Sequence, residues 1–260
     1  MTREQICSGL GTQWAGQEIV YFKEIDSTNR YAKKLTAEGA AHGTLVLADT
    51  QTAGRGRRGR GWISPAGESI AMSLILRPDV PPAQVARLSL LTALAVANAI
   101  SRVTGLNARI KWPNDIVAEG RKVCGMLLEM DATPERVASV VAGVGINVHQ
   151  TQFPEEIAHS ASSLDLLAGR RISRAAIVRA FLQEFEQAWA LSDEAMMRAY
   201  CARSATIGQR VQVIGLNGTY TGTAEGVTDS GSLLVRADED DGVREVLAAD
   251  VSVRGIMGYA

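Results

Sequence analysis

The sequence predicts an α+β fold, with a central mixed, largely antiparallel sheet flanked by helices and a small SH3-like β-barrel at the C-terminal end. Three observations carry this. Short apolar runs bounded by glycine, proline and asparagine turns recur through the first part of the chain, interleaved with runs of helical spacing. A mostly helical stretch, residues 172–200, closes that part, with Ile177, Phe181, Phe185 and Trp189 four residues apart. Beyond Ile207 the texture changes to short alternating strands such as Arg210-Val211-Gln212-Val213-Ile214, broken at Asn217-Gly218 and Asp240-Asp241-Gly242. The expected division is a larger α+β domain over 1–205 and a β module over 206–260.

In order, residues 18–25 read as a strand, and Asp26-Ser27-Thr28-Asn29 then supplies side-chain oxygens that can cap a helix carrying Tyr31 and Leu35. Gly39 is the expected stop. Residues 43–49 form a second, buried strand. Residues 52–62 hold four glycines and four arginines without apolar periodicity, and read as neither helix nor strand. Strand character resumes at 69–76, and Pro81-Pro82 opens a long helix through Val85, Leu88, Leu91, Ala95 and Ala99. After Gly105, three apolar runs (108–112, 123–130 and 137–148) are separated by turns at Pro113-Asn114-Asp115, Glu119-Gly120 and Pro134, as in an antiparallel meander.

Composition narrows the function. A formal net charge of −1 over 260 residues gives no global basic field to draw in nucleic acid. Cys7, Cys124 and Cys201 are sparse, odd in number and far apart, which fits a reducing, cytoplasmic setting better than a disulfide framework. The first ten residues lack the apolar stretch of a signal peptide. The apolar, uncharged run 88–101 falls short of the roughly 20 residues a membrane span needs.

Three constellations carry chemistry. In Gly54-Arg55-Gly56-Arg57-Arg58-Gly59-Arg60-Gly61-Trp62, glycines admit close backbone approach while arginines pair with carboxylate and phosphate. With no acid between them the arginines repel, so the loop should loosen when empty and close over an anion. A solvated basic loop or an RNA-binding tract is the alternative. In Lys111-Trp112-Pro113-Asn114-Asp115 a strand-end lysine is held as a point charge fit for phosphoryl chemistry, and Asn114 and Asp115 offer oxygens to a magnesium ion or a ribose. Taken singly, a surface lysine before an ordinary turn is the stronger reading. In Lys122-Val123-Cys124-Gly125-Met126-Leu127-Leu128-Glu129 and Gly143-Val144-Gly145-Ile146-Asn147, glycines inside apolar strands mark either a ligand or close sheet packing.

Taken in this order, the GRGRRGR-x-W loop, KWPND, K-x-x-G-x-L-x-E and G-x-G-I-N resemble the biotin protein ligase family, strongly over 18–148 and loosely over the C-terminal β module. The resemblance implies activation of biotin with ATP to biotinyl-5′-AMP, with magnesium as the expected companion ion, and transfer to a lysine of a biotin carboxyl carrier protein. It implies that Ser27, Thr28 and Asn29 hold the ureido ring of biotin and that Gln51 is another polar contact to biotin. Arg55, Gly56, Arg57 and Arg58 would wrap the carboxylate and the adenylate phosphate, and Trp62 would pack near the adenylate. Lys111, Arg55 and Arg57 are the expected catalytic residues, with Asn114, Asp115 and Asn147 on the nucleotide side. Only about 17 residues precede the first strand, too few for the DNA-binding domain some members carry, so a form without operator binding is expected. The partner set leaves a homodimer open and includes no membrane. The rivals are a lipoate or octanoate ligase or transferase and, in another class, an RNA-binding module using the basic loop.

Overall fold

Helix α1 (Arg3–Cys7) opens the chain with a capping box, Thr2 and Gln5 each bonding the other's backbone amide. Strand β1 (Ile19–Ile25) follows, then helix α2 (Thr28–Ala37) and strand β2 (Leu45–Gln51), which pairs parallel to β1. Strand β3 (Ser69–Leu76), buried along its whole length, leads through a 3-10 turn at Pro82–Gln84 into helix α3 (Val85–Thr104). Strands β4 (Arg109–Lys111), β5 (Asp115–Ala118), β6 (Arg121–Ala132) and β7 (Val137–Asn147) complete a seven-stranded sheet in the order β1-β2-β3-β7-β6-β5-β4. Only the β1–β2 pair is parallel. This computed structural model describes residues 1–215, 218–248 and 251–255.

Helices α4 (Glu155–Ala158) and α5 (Leu164–Ala168) are short; α6 (Arg174–Trp189) and α7 (Asp193–Arg203) are longer. The expected helical run over 172–200 is two helices, because the Ser192 side chain caps a new first turn, accepting from the Ala195 amide. Residues 115–118, expected to lie between turns, form β5, so the meander has four strands instead of three. The proline turn is tighter than the sequence suggested, which frees the following apolar residues Ile116, Val117 and Ala118 to pair with β6.

The sheet's two faces differ. Against one, α3 and α6 pack on each other, and Leu91, Leu94, Phe181 and Phe185 join the main core. By length and composition α3 alone among the described residues could cross a membrane; here most of it is buried inside this core. On the other face α2 seats Ala32 against Val46, Ile75 and Val141. It covers only part of that face, and the remainder is the floor of a cleft.

Strands β8 (Arg210–Gly215), β9 (Gly218–Val227), β10 (Leu233–Ala237), β11 (Val243–Val246) and β12 (Val251–Gly255) form a second, antiparallel sheet ordered β11-β10-β9-β8-β12. Asn217 of the expected Asn217-Gly218 turn lies outside the described residues. The module's small core of Val211, Val213, Ala224, Leu233, Val235 and Val246 takes one residue from the first domain, Trp112. The Trp112 indole N–H donates to the Gly231 carbonyl at 2.9 Å, and its backbone N–H donates to Thr206 Oγ1 at 3.0 Å.

Candidate active site

Strand alternation decides which residues floor the cleft. The register places Ser73, Gly143 and Leu127 in one row across β3, β7 and β6, and Ala71, Gly145 and Gly125 in the next. The cleft, about 990 Å³, is lined by every residue to which the resemblance gives a role: Ser27, Thr28, Asn29, Gln51, Arg55, Gly56, Arg57, Arg58, Trp62, Lys111, Asn114, Asp115 and Asn147.

At one end the polar groups hold one another. The Ser27 side chain caps α2, which brings Thr28 and Asn29 into the first turn. The Thr28 amide and hydroxyl both donate to Gln51 Oε1, at 2.8 and 3.0 Å. Ser73 Oγ lies 2.8 Å from Thr28 Oγ1 and 2.6 Å from Asn29 Oδ1. Asn29 Nδ2 donates to the Leu127 carbonyl at 3.2 Å and to Glu129 Oε2 at 2.9 Å.

The glycines of β6 and β7 yield to side chains of this protein. A Cβ on Gly143 would sit 2.1 Å from Asn29 Oδ1, and one on Gly145 would sit 2.4 Å from the Trp62 indole. Gly125 is also under Trp62, at 3.0 Å. The structure shows close packing at these glycines, against side chains rather than neighbouring backbone, and the same glycines also line the cleft. The buried Trp62 Nε1 has no hydrogen-bond partner among the described residues.

The basic loop folds back as a narrow ladder. Gln51 bridges Ser64 and Arg55 bridges Gly61, with a single 3-10 turn at Arg57–Gly59 for its tip. Arg58 has φ 58°, a left-handed conformation that a non-glycine residue adopts at some cost. Arg57 points away from the tip, donating to Asn114 Oδ1 at 3.1 Å and to the Ala248 carbonyl of the C-terminal module. Burial, and then the neighbouring Arg58 charge, lowers the Arg57 guanidinium's pKa below its ordinary value.

At the same end Lys111 closes β4 with 8% of its surface exposed. Lys122 pairs with Asp115 at 2.6 Å and lies 5.8 Å from the Trp62 ring centre. Asn114 Nδ2 donates to the Met126 carbonyl at 2.7 Å. Asn147 donates to the Ser162 carbonyl and accepts from Gln150 Nε2, at 3.1 and 3.2 Å. Cys124 is wholly buried and its thiol is pushed up by burial, so it offers no thiolate.

Sequence reasoning missed Ser73, a lone hydroxyl inside an apolar strand, whose only signal was that polarity. It also left Glu129 and Lys122 as motif letters without roles. It passed over residues 150–161, of which Gln150, Phe153 and Ile157 line the cleft. Trp112 had been read as a strand end and is the seat of the C-terminal module.

The Biotin/lipoate A/B protein ligase family model matches residues 21–147, and the Biotin protein ligase C terminal domain model matches 206–254. The bifunctional ligase/repressor BirA of Bacillus subtilis is 39% identical over 267 residues, spanning 97% of this chain and 79% of that protein. The chain belongs to the biotin protein ligase family. The biotin–[acetyl-CoA-carboxylase] ligase of Mycobacterium tuberculosis is 37% identical over 240 residues, covering 89% of this chain and 86% of that one. The biotin protein ligase of Aquifex aeolicus in complex with biotin and ATP superposes with a TM-score of 0.76 at 28% identity, covering 92% of this chain and 99% of that one. The fold therefore agrees with the ligase architecture expected from the sequence, C-terminal β module included.

Proposed function

We propose that this ligase activates biotin with ATP in the cleft and passes it to a lysine of a biotin carboxyl carrier protein. The observation that carries the reading is the single cleft in which the Ser27–Thr28–Asn29–Gln51 group and the Arg55–Lys111 group face one space. The first group takes the ureido head, where Gln51, Thr28 and Asn29 offer hydrogen bonds that an apolar dithiolane could not return. Buried polar groups left unpaired cost roughly 1–3 kcal/mol each, which argues against a lipoate substrate.

In the first step a biotin carboxylate oxygen attacks the α-phosphorus of ATP. The bond to the bridging oxygen breaks, and pyrophosphate leaves with the electron pair. Two negative partners at about 4 Å repel by roughly 4 kcal/mol at an effective dielectric near 20. We assign Lys111, Arg55 and Arg57 to neutralise that repulsion and the charge gathering on the phosphate. Arg58, Trp62, Asn114, Asp115 and Asn147 border the nucleotide. In the second step the acceptor amine attacks the carbonyl of the mixed anhydride, AMP departs, and the amine proton passes to solvent or to AMP. The loop over the anhydride limits its hydrolysis.

Among the described residues no group of three or more His, Cys, Asp or Glu side chains converges, and Asn114 and Asp115 engage Arg57 and Lys122. We assign magnesium to the ATP phosphates and derive no step through a protein-held ion.

We further propose a cytoplasmic enzyme, consistent with three unpaired cysteines, and domain limits of 1–205 and 206–260. No role on DNA is proposed for a chain of net charge −1. A homodimer is a further proposal, tested by sedimentation with and without biotin and ATP. The function is tested by mixing purified protein with biotin and ATP. Biotinyl-5′-AMP by mass spectrometry and biotin-dependent pyrophosphate release are expected. Release with octanoate or lipoate, and none with biotin, would overturn the reading.

A further inference from the structure

The polar end of the cleft has a hydrogen-bond polarity that can be counted. A side-chain amide carries two N–H donors and a carbonyl oxygen with two lone pairs. Gln51 Oε1 receives both the amide and the hydroxyl of Thr28, so its acceptor capacity is spent. What Gln51 has left for the cleft is its Nε2 donors. Asn29 is the reverse. Its two donors go to the Leu127 carbonyl and to Glu129, and its Oδ1 shares the single Ser73 hydroxyl proton with Thr28 Oγ1, leaving one lone pair.

The orientation of the Asn29 amide is therefore set from behind. Ser73 is a hydroxyl and can donate or accept, so it does not choose. The Leu127 carbonyl and an ionised Glu129 carboxylate can only accept, and both demand that nitrogen face them. Glu129 lies beyond the cleft lining, at the outer end of β6, and its other oxygen meets Lys33 at 3.3 Å. That ion pair is substantially exposed on both partners, so its own contribution is small. The absence of a Cβ on Gly143 is what lets Asn29 Oδ1 reach its place.

We propose that Glu129 is a positioning residue for biotin, which by capturing Asn29 Nδ2 turns Asn29 into an acceptor-only group opposite the donor-only Gln51. One donor and one acceptor across the cleft suit a cyclic urea, in which a carbonyl oxygen stands beside an N–H. Glu129 thus governs selectivity for the ureido head without touching it. This rests on the biotin reading of the same cleft.

The test uses the full-length protein and its pyrophosphate release. In Glu129→Gln the new amide can offer N–H to Asn29 and removes the demand for one orientation. With the orientation of Asn29 no longer imposed, KM for biotin should rise about tenfold or more. KM for ATP should stay within about twofold, and kcat at saturating biotin within about threefold, since neither bears on the head group. Glu129→Asp, which keeps the charge but draws it back by one methylene, should raise the biotin KM in the same way. Lys33→Ala should move neither KM. An unchanged biotin KM in both Glu129 variants overturns the proposal. So does a parallel rise for ATP with a falling melting temperature, which would mark a merely structural role, or a rise in Lys33→Ala equal to that of Glu129→Gln. A wild-type protein that makes no biotinyl-5′-AMP would instead overturn the biotin reading itself.

Discussion

At the head-group end of the cleft, Thr28, Asn29, Gln51 and Ser73 are bonded to one another and to β6. At the phosphate end, the loop arginines share one hairpin with no acid inside it, and Arg57 reaches out to Asn114 and to the C-terminal module. The polar side chains of the first end hold one another through hydrogen bonds within the protein. The second concentrates like charges whose repulsion an anion relieves, so its order depends on what is bound and on a distant part of the chain. In the proposed reading, selectivity rests on the first turn of α2 and the strands beside it, and retention of the reactive intermediate on a loop.

The sharpest way to break that comparison is Lys111→Ala. Adenylate formation should fall by about 10³-fold, as for loss of a group that stabilises transition-state charge, with the fold kept. Pyrophosphate release at the wild-type rate would remove Lys111 from the chemistry. Next comes Trp112→Ala, which empties the seat of the C-terminal module and should cost about 3–5 kcal/mol, read in a denaturant titration. A melting curve that matches wild type would show the module to be independent of the cleft. Arg57→Gly should release free biotinyl-5′-AMP about tenfold faster and leave the loop open to trypsin even with ligand bound. Identical adenylate retention would mean that this loop is not the lid. Gly143→Ala should raise the biotin KM by a smaller factor, about three- to tenfold, because the new methyl displaces Asn29 Oδ1. Unchanged biotin affinity there would show that the head-group end is softer than its hydrogen bonds suggest.

Much of this was legible in the sequence because the signals are local. Ser27 before a helical spacing, proline ahead of α3, glycine after it, and Lys111 ahead of a proline turn each act within a few residues. What could not be read depends on partners distant in the chain. Gly143 and Gly145 advertise a close approach but not by what, and the answer lies at Asn29 and Trp62. Ser73 looks like a defect in an apolar strand until β3 is set beside α2. Strand β5 was hidden because four residues between two turn signals read as part of the turns. The switch to alternating strands after Ile207 announced the second sheet, but its attachment through Trp112 required three dimensions.

Lys111 and Trp112 are neighbours along the backbone, one bordering the cleft and the other anchored 119 positions away at Gly231. A ribosome delivers the two halves of that arrangement at different times, since domains fold as units with the earlier one first. While residues 206–248 are still being synthesised, the indole has no seat, the Ala248 carbonyl that receives Arg57 does not exist, and the cleft lacks one of its tethers. A partly made chain would carry its lysine and loop without the framework that fixes them. Competence to handle a water-sensitive anhydride therefore arrives late in the protein's own birth.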